Sequence, residues 1–239
     1  MGQTNAGERV VIPVLRAFGI RALDALVLSH ADSDHIGGLR AVDSYFSVRQ
    51  RYASFDLPAR LHEGARRCAA GDTWHWDGVI FTFLHPELAR PPMSSTDSNA
   101  KRKFKTRKNA RSCVLKISGR HHTVLLPGDL PAQQERTLVH QYAGALRADV
   151  VIAPHHGSAS SSSAEFVRAT QAQHAIALVG YRNRFGHPDL AVQRRWHKAG
   201  AMFWRSDLQG ALTVRSKDSK LTVERQRDVG RRYWHPERN

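Results

Sequence analysis

Apolar positions along the chain follow two alternating patterns, one of helical spacing and one of short continuous runs. Residues Glu8 to Phe18 place apolar side chains at helical spacing and stop at Gly19, and Leu23 to Leu28 then forms a run that predicts a buried strand. The stretch WHWDGVIFTFL, from Trp74 to Leu84, predicts a hairpin that turns at Asp77-Gly78. The other predicted strands span 112–117, 123–126, 149–153, 175–179, 211–214 and 221–223, and the other helices span 131–142, 162–169 and 190–199. Alternating strands and helices indicate the α/β (α+β) class.

The length of the chain limits how many domains it can form. With 239 residues, of which 41% are hydrophobic, it is long enough for one globular domain with a substantial core. We therefore predict a single domain over 1–239, with its core in 7–225. A polar segment over 86–110 is predicted to be an insertion, and 226–239 a charged tail.

The charge of the chain is strongly positive. Lys and Arg number 36 against 21 Asp and Glu, a formal net charge of +15. This excess favours a polyanionic partner, either nucleic acid or an anionic membrane surface. The insertion concentrates six cations in KRKFKTRK, which is either a solvated loop or an arm that attracts a phosphate backbone. The candidate nucleic-acid-binding residues are Lys101, Arg102, Lys103, Lys105, Arg107 and Lys108.

The two cysteines, Cys68 and Cys113, show no CxxC spacing and do not indicate a disulfide framework or a zinc knuckle. Cys113 lies in the strand-like SCVLKI, which predicts a small core residue. No apolar run approaches the roughly 20 residues needed to cross a bilayer. The chain as given is therefore predicted to be soluble.

Acids and histidines follow the apolar strands in the turn where each strand ends. Because strand ends that lie side by side bring such residues together, and because imidazole and carboxylate are ligands for divalent metals, these turns predict a metal site. The candidate ligands are His30, Asp32, Asp34 and His35 after DALVL, Asp129 after TVLL, His155 and His156 after DVVI, and His187 in FGH.

The spacing within the first cluster suggests a division between two ions. His30 and Asp32 can face one ion while Asp34 and His35 face another, and Asp129 can bridge both. Two ions at close range can activate a water and clamp the oxygens of a displacement, which is hydrolytic chemistry on an ester or phosphodiester. Asp34, Asp129 and His156 are the candidate catalytic residues, with His155, His156 or His187 as metal ligand or proton donor.

The motifs LVLSHADSDHIGGL, VLLPGDL, DVVIAPHHGSASSSS and YRNRFGHPDL resemble the metallo-β-lactamase superfamily, and within it the C-terminal domain of ComEC-type competence proteins. The usual HxHxDH is present as HxDxDH. The resemblance implies a four-layer αββα sandwich with one or two divalent ions, Mn²⁺, Zn²⁺ or Mg²⁺, at one edge. It also implies a DNA nuclease role in natural transformation, with single-stranded DNA and a membrane channel portion as partners.

Three departures from the family pattern qualify this expectation. Asp32 replaces a histidine and supplies a hard oxygen ligand. The third histidine of the first metal site has no counterpart, so that Asn109, Ser112 or His85 could replace it. The chain also begins at the helix that normally follows the first strands, which predicts a truncated fold that would be membrane-associated within a ComEC-type protein. A small-molecule hydrolase (lactonase or thioesterase) and a non-catalytic DNA-binding fragment are the alternative functions.

Overall fold

The computed structural model describes residues 5–62, 64–87 and 108–230. The chain divides into two compact units. The first comprises Met1–Asp72 and Phe83–Val114, and the second comprises Thr73–Thr82 and Leu115–Asn239. Within the described ranges, no helix combines the length and apolarity that crossing a bilayer requires.

The first unit is built on a parallel sheet of three strands in the order β1-β2-β3. Its strands are β1 (Ala22–Leu28), β2 (Ser47–Ala53) and β3 (Ala65–Arg67). Its helices are α1 (Ile12–Ala17), which continues a π-helical turn at Gly7–Val11, α2 (Ser33–Ile36) and α3 (Leu39–Tyr45). Parallel neighbours require a crossover, and α2 and α3 supply it between β1 and β2.

Two apolar clusters pack against β1 and β2. Val42 and Phe46 from the end of α3 pack with Val48 of β2, and all three are buried. A second cluster joins Leu28, at the end of β1, to Ala53, Leu57 and Leu61. The predicted buried strand is thus buried only at Leu28, its last residue, from which the next turn leaves the sheet.

The two cysteines form a disulfide, which corrects the prediction that they belong to no such framework. Cys68 and Cys113 are bonded with their Cα atoms 5.8 Å apart, and both are buried. The prediction failed because the partners are separated by 45 positions in the sequence and meet only through the tertiary fold.

A sheet of seven strands, in the order β10-β9-β8-β7-β6-β5-β4, belongs to the second unit except for the end of β5 and the first residue of β6. Its strands are β4 (Thr73–Trp76), β5 (Val79–His85), β6 (Val114–Ser118), β7 (Thr123–Leu126), β8 (Val150–Ile152), β9 (His174–Ala177) and β10 (Met202–Arg205). The helices are α4 (Ala132–Tyr142), α5 (Ala164–Thr170), α6 (Leu190–Lys198), α7 (Ser206–Gln209) and α8 (Gln226–Val229). The strands β11 (Leu212–Lys217) and β12 (Lys220–Arg225) form a separate hairpin.

Three parallel strands place the chemistry-bearing loops of the second unit at one edge. Strands β7, β8 and β9 run parallel to one another, and all four residues of β9 are buried. The carboxyl ends of parallel strands share an edge, so the loops after these strands, which carry Asp129, His155 with His156, and His187, leave the sheet on the same side.

Most predicted elements are present with shifts of one or two residues at their ends. The hairpin of β4 and β5 turns at Asp77 and Gly78, both with positive φ. Strands β2, β3 and β10 and the helices α2, α3, α7 and α8 were not predicted. Of the basic insertion predicted over 86–110, only 86–87 and 108–110 lie within the described residues, so Lys101, Arg102, Lys103, Lys105 and Arg107 fall outside them. Residues 231–239 of the predicted charged tail also fall outside.

His174, buried in β9, gives the stability of the second unit a pH dependence. Trp204 donates its indole N–H to His174 Nδ1 at 3.1 Å, and burial lowers the pKa of His174 while Asp149 partly raises it. The unfolded chain therefore binds the proton first, and stability falls as the pH drops below the ordinary histidine pKa of about 6.5. In urea unfolding at pH 7, 6 and 5, His174→Gln should lose less stability with falling pH than the wild type.

His140→Gln provides the matched control because His140 is exposed on α4. It should reproduce the wild-type dependence on pH. Parallel curves for the wild type and His174→Gln would contradict the assignment of this dependence to His174.

Candidate metal centre

The turn after β1 brings two histidines together. His30 is fully buried, its ring centroid is 4.1 Å from that of His35, and the hydroxyl of Ser29 lies 3.1 Å from Nδ1 of both rings. A hydroxyl oxygen can accept two hydrogen bonds, so Ser29 can hold both rings with Nδ1 protonated. In that state both Nε2 atoms keep the lone pair that a metal ion needs.

Each of these histidines has an aspartate beside its Nε2 atom. His30 Nε2 is 3.7 Å from Asp32 Oδ2, and His35 Nε2 is 3.6 Å from Asp34 Oδ2. The two pairs differ in exposure, because 36% of the Asp32 side chain and 59% of the Asp34 side chain are accessible to solvent. The turn thus provides two imidazole–carboxylate pairs of similar separation, one of them around a fully buried ring.

Backbone geometry holds the turn. Asp32 has an extended backbone and its carbonyl oxygen accepts from the N–H of His35 and of Ile36, each at 3.0 Å. Its side chain does not cap the helix that follows, so the carboxylate is available for other contacts. Gly37 follows the helix, and a side chain is excluded there because a Cβ would lie 2.5 Å from the carbonyl oxygen of Ser33.

A lysine of the basic insertion lies against this turn. Lys108 Nζ is 3.0 Å from Asp32 Oδ1 and donates to the carbonyl oxygen of Ala31 at 3.3 Å. Lys108 is the described member of the six predicted DNA-binding cations. It pairs with Asp32, a predicted metal ligand, so the charge of this one lysine of the insertion lies directly beside the acidic turn.

In the second unit, Asp129 lies between two histidines. Its buried carboxylate is 3.8 Å from His155 Nε2 and 3.6 Å from His156 Nε2. His156 Nδ1 donates to the carbonyl oxygen of Leu178 at 2.8 Å, which directs the lone pair of the neutral ring to Nε2. The structure thus places Asp129 beside both histidines.

His187 is the third histidine of this group. Its ring centroid is 6.0 Å from that of His155, and Asn183 holds its backbone by accepting from the His187 N–H at 2.9 Å and donating to its carbonyl at 2.8 Å. The pKa of His187 is lowered, first by burial and then by the nearby rings of His155 and His156. A neutral imidazole is the form that binds metal.

The loop that carries His155 and His156 has an unusual backbone. Both residues have positive φ, 51° and 57°, which is uncommon outside glycine and is maintained only where surrounding contacts require it. The N–H of His155 donates to the carbonyl of Gly128 at 3.1 Å, and Ser160 Oγ lies 3.2 Å from His155 Nδ1. These bonds tie the histidine loop to the Asp129 turn.

A buried glutamate forms hydrogen bonds with the end of the loop that carries His155 and His156. Glu135 of α4 is fully buried, and its two carboxylate oxygens accept from the N–H groups of Ser162 and Ser163, each at 2.6 Å. Burial raises the pKa of Glu135, and the hydrogen bonds from Ser163 and Ser162 and the charge of Arg195 oppose the rise. Arg195 also donates to the carbonyl oxygen of Ser162 at 2.5 Å.

The spacing of these pairs suits metal ligands better than direct hydrogen bonds. The four imidazole–carboxylate separations are 3.7, 3.6, 3.8 and 3.6 Å, beyond hydrogen-bonding range. Two ligand atoms about 2.1 Å from one ion and roughly 90–130° apart are separated by roughly 3.0–3.8 Å. Each half-site therefore fits a divalent cation, and its imidazole and carboxylate donors suit Zn²⁺, Mn²⁺ or Mg²⁺.

The candidates for a missing third histidine of the first site have other contacts. His85 Nε2 donates to the carbonyl oxygen of Ala110 at 2.9 Å, and burial lowers the pKa of His85. Asn109 begins a short 3₁₀ turn, and Ser112 is fully buried.

Several supporting residues were not predicted from the sequence. Ser29 carries a weak signal, since it directly precedes a histidine at a strand end. Asn183 and Ser160 lie in polar loops where any polar residue is expected, and Glu135 looks like an ordinary first-turn acid of a helix. Their roles depend on tertiary contacts, for which the sequence offers no spacing rule.

This fold, with histidines and aspartates in the turns after its strands, defines a class of metal-binding hydrolase scaffold. The model of the metallo-β-lactamase superfamily matches residues 2–181. The chain belongs to that superfamily, whose members are typically metal-dependent hydrolases.

The curated relatives include a competence protein and a recombination protein. Competence protein ComA of Neisseria gonorrhoeae is 37% identical over 233 residues, covering 98% of this chain and 31% of that protein. ComE operon protein 3 of Bacillus subtilis is 30% identical over 90% of this chain and 27% of its own length, and Recombination protein 2 of Haemophilus influenzae is 28% identical over 93% and 26%. The predicted resemblance to ComEC-type competence proteins is confirmed. The chain spans less than a third of the length of these relatives.

Solved structures confirm the predicted fold class. The metallo-β-lactamase fold protein YhfI of Bacillus subtilis matches with a TM-score of 0.51 at 13% identity, over 92% of this chain and 84% of that one. CmlA, a diiron β-hydroxylase of Streptomyces venezuelae, matches with a TM-score of 0.50 at 12% identity, over 78% of this chain and 44% of that one. At such identities both likenesses concern the fold alone.

Glu135→Gln should destabilise the protein, because it replaces one of two acceptor oxygens by an NH₂ group that faces a buried N–H. We expect a loss of about 1–3 kcal/mol in the free energy of unfolding, measured in urea at pH 7. Glu165→Gln is the matched control: Glu165 is an exposed residue in the first turn of α5, and its loss should cost within about 0.5 kcal/mol. Equal stabilities for the two variants would show that Glu135 does not hold the serine loop.

Proposed function

We propose that this chain is a metal-dependent phosphodiesterase, a DNA nuclease associated with DNA uptake. The observation that carries the proposal is the repeated half-site geometry. In each unit, imidazole Nε2 atoms lie 3.6–3.8 Å from a carboxylate oxygen, while the Nδ1 atoms contact a hydroxyl or a carbonyl. A purely structural histidine–aspartate pair would close to hydrogen-bonding distance.

The proposed ligands come from both units. His30, Asp32, Asp34 and His35 contribute from the first unit, and Asp129, His155 and His187 contribute from the second. The carboxylate and imidazole groups within each unit are donor types that a divalent cation accepts. When bound, divalent cations supply an activated water and neutralise charge on a phosphoryl group.

The chain's own residues then hold and move protons around the substrate. Asp129, which is 95% shielded from solvent at its side chain, is proposed to bridge ligand positions, and Asp34, the most exposed acid of the turn, to face the attacking water. His156 keeps Nδ1–H on the Leu178 carbonyl, so only in the imidazolium form, with a second proton on Nε2, can it give a proton to the leaving oxygen and return to the neutral ring. Ser29 and Asn183 orient rings and backbone without touching substrate.

The charge of the chain and the names of its relatives support DNA as the substrate. The net charge of +15 favours a polyanion over a small neutral ester. Two of the curated relatives are named Competence protein ComA and Recombination protein 2. We propose that single-stranded DNA is bound, and that in the whole protein a membrane channel portion is the partner of this region.

A basic groove in the second unit offers described residues for such binding. The groove, of about 420 Å³, lies between α5 and α6. Its cationic lining is Arg168, Arg194, Arg195 and Lys198, with Ala164, Val167 and Ala199 between them. Arg168, Arg194 and Lys198 are exposed, and none of them forms an ion pair with another described residue. Cations without acidic partners are available for phosphate contacts.

The cations of the basic insertion complete the proposed DNA surface. Lys101, Arg102, Lys103, Lys105 and Arg107 remain proposed DNA contacts, and Lys108 has its ammonium group at Asp32. A phosphate that approaches the acidic turn would meet this ammonium first. We propose that Lys108 offsets the repulsion between the substrate and the carboxylates.

Asp34→Ala should lower the content of bound metal and reduce cleavage of labelled single-stranded DNA in Mn²⁺ by at least about 100-fold, because a ligand to the ion is lost. Metal content is measured by mass spectrometry after dialysis, and cleavage on a gel with EDTA as the blank. The exposed Asp24→Ala in β1 is the matched control and should retain both.

Three results would contradict this proposal in different ways. Activity of Asp34→Ala equal to that of the wild type removes Asp34 from the site. Turnover of small esters without DNA cleavage favours the lactonase or thioesterase alternative. A gel shift with neither activity favours a non-catalytic DNA-binding fragment.

The variant Arg168→Gln/Arg194→Gln/Lys198→Gln should weaken binding to single-stranded DNA and flatten its dependence on salt. Three lost phosphate contacts reduce the slope of log K against log salt by about 2. Fluorescence anisotropy with a labelled oligonucleotide in EDTA, at salt from 50 to about 300 mM, measures the slope. The control Arg147→Gln/Lys217→Gln/Lys220→Gln removes three exposed cations elsewhere in the unit. If both variants lower the slope equally, the groove makes no specific contribution.

A further inference from the structure

The disulfide reaches the metal-binding turn through the backbone of Cys113. The N–H of Cys113 donates to the carbonyl of Ser29 at 2.9 Å, and its sulfur lies 3.5 Å from the carbonyl oxygen of Leu28. Leu28 is the last residue of β1, and the hydroxyl of Ser29 contacts both histidine rings. Cys113 therefore packs on the backbone that immediately precedes His30.

The other cysteine, Cys68, lies at the opposite edge of the same sheet, after β3. Cys68 directly follows β3, and its N–H donates to the carbonyl of Ala53, the last residue of β2, at 3.1 Å. Ala53 is in turn the register partner of Leu28 in the parallel pairing of β1 and β2. The disulfide thus closes a ring across the carboxyl ends of all three strands.

We propose that Cys68–Cys113 is a brace for the metal-binding turn, formed in an oxidising compartment. Its role rests on the proposed metal site, while its formation does not. Without the bond, Cys113 would be held to β1 by one backbone hydrogen bond and its packing, and Ser29 and His30 would lose a fixed support. With the bond, a displacement of Cys113 from β1 must also displace Cys68, which is hydrogen-bonded to Ala53.

The formation of the bond needs an external oxidant. The two thiols lose two protons and two electrons, and the acceptor is a disulfide-bonded oxidant that is reduced to its dithiol by thiol–disulfide exchange. Such oxidants act outside the reducing cytosol, and structural disulfides persist in oxidising compartments. Both sulfurs are nearly inaccessible, with residue exposures of 1% and 2%, so that reductants reach the finished bond poorly.

A first experiment tests formation on the full wild-type chain. Cells of the producing organism are quenched with acid and treated with a maleimide reagent in denaturant, and the purified chain is equilibrated in a buffer with oxidised glutathione in excess. We expect no alkylation in either sample. Two alkylated cysteines in both samples would overturn the proposal, and two in the cells alone would overturn its placement in an oxidising compartment.

A second experiment tests the brace with Cys68→Ser/Cys113→Ser. We expect the melting temperature to fall by about 5–15 °C, with far-UV circular dichroism retained at 20 °C. In the metal-free protein, amides from Leu28 to Ile36 should exchange hydrogen at least about 10-fold faster than in the wild type, while those of β8 and β9 keep their rates. The affinity for Mn²⁺ should fall about 10-fold or more.

Val48→Ala is the matched control because it truncates a buried side chain in the same unit without touching the ring of strand ends. It should lower the melting temperature and leave the exchange rates at 28–36 and the Mn²⁺ affinity near wild type. Equal effects of the two variants on exchange and affinity would reduce the disulfide to a general stabiliser and overturn the brace. If the wild type itself binds no Mn²⁺, the proposed function fails, while alkylation and hydrogen exchange still decide the disulfide.

Discussion

The structure depends on compensating polar and charged groups at the ends of buried strands. A carboxylate or imidazole placed beside apolar strands is costly unless another group pairs with it. His30 is fully buried and Asp129 nearly so, and each lies at the point where an apolar strand ends. Neighbouring hydroxyl and carbonyl groups form hydrogen bonds with the Nδ1 atom of each histidine ring. The Nε2 atom of each ring faces a carboxylate oxygen at a distance that suits a shared cation better than a direct hydrogen bond.

In both units, hydrogen bonds to Nδ1 orient the histidine rings. In the first unit one hydroxyl, that of Ser29, serves two rings, and in the second the Leu178 carbonyl and the Ser160 hydroxyl serve one ring each. In each case Nδ1 is engaged and Nε2 faces an aspartate. Orientation of this kind tunes a metal ligand as much as the ligand's identity does. The same need for orientation accounts for the burial of Glu135, which contacts no predicted metal ligand and whose pKa is raised by burial.

The sequence predicted the fold class and the candidate ligands better than it predicted their supports. Strand ends with acids and histidines repeat along the chain, and that repetition is visible without a structure. Strand β2, SVRQRYA, was missed because its arginines break the apolar pattern, although Arg51 pairs with Asp43 and is largely shielded. The disulfide and Glu135 were missed because contacts between distant positions leave no local pattern. The role of each site residue in catalysis stays a prediction.

The short segment from Lys108 to Cys113 connects these separate supports. Lys108 pairs with Asp32, Ala110 accepts from His85, and Cys113 binds Ser29 and Cys68. His85 is the last residue of β5 and Leu28 the last residue of β1, so this one short segment contacts the ends of two strands. A change that breaks either contact would therefore also alter the support of the turn that carries His30 and Asp32.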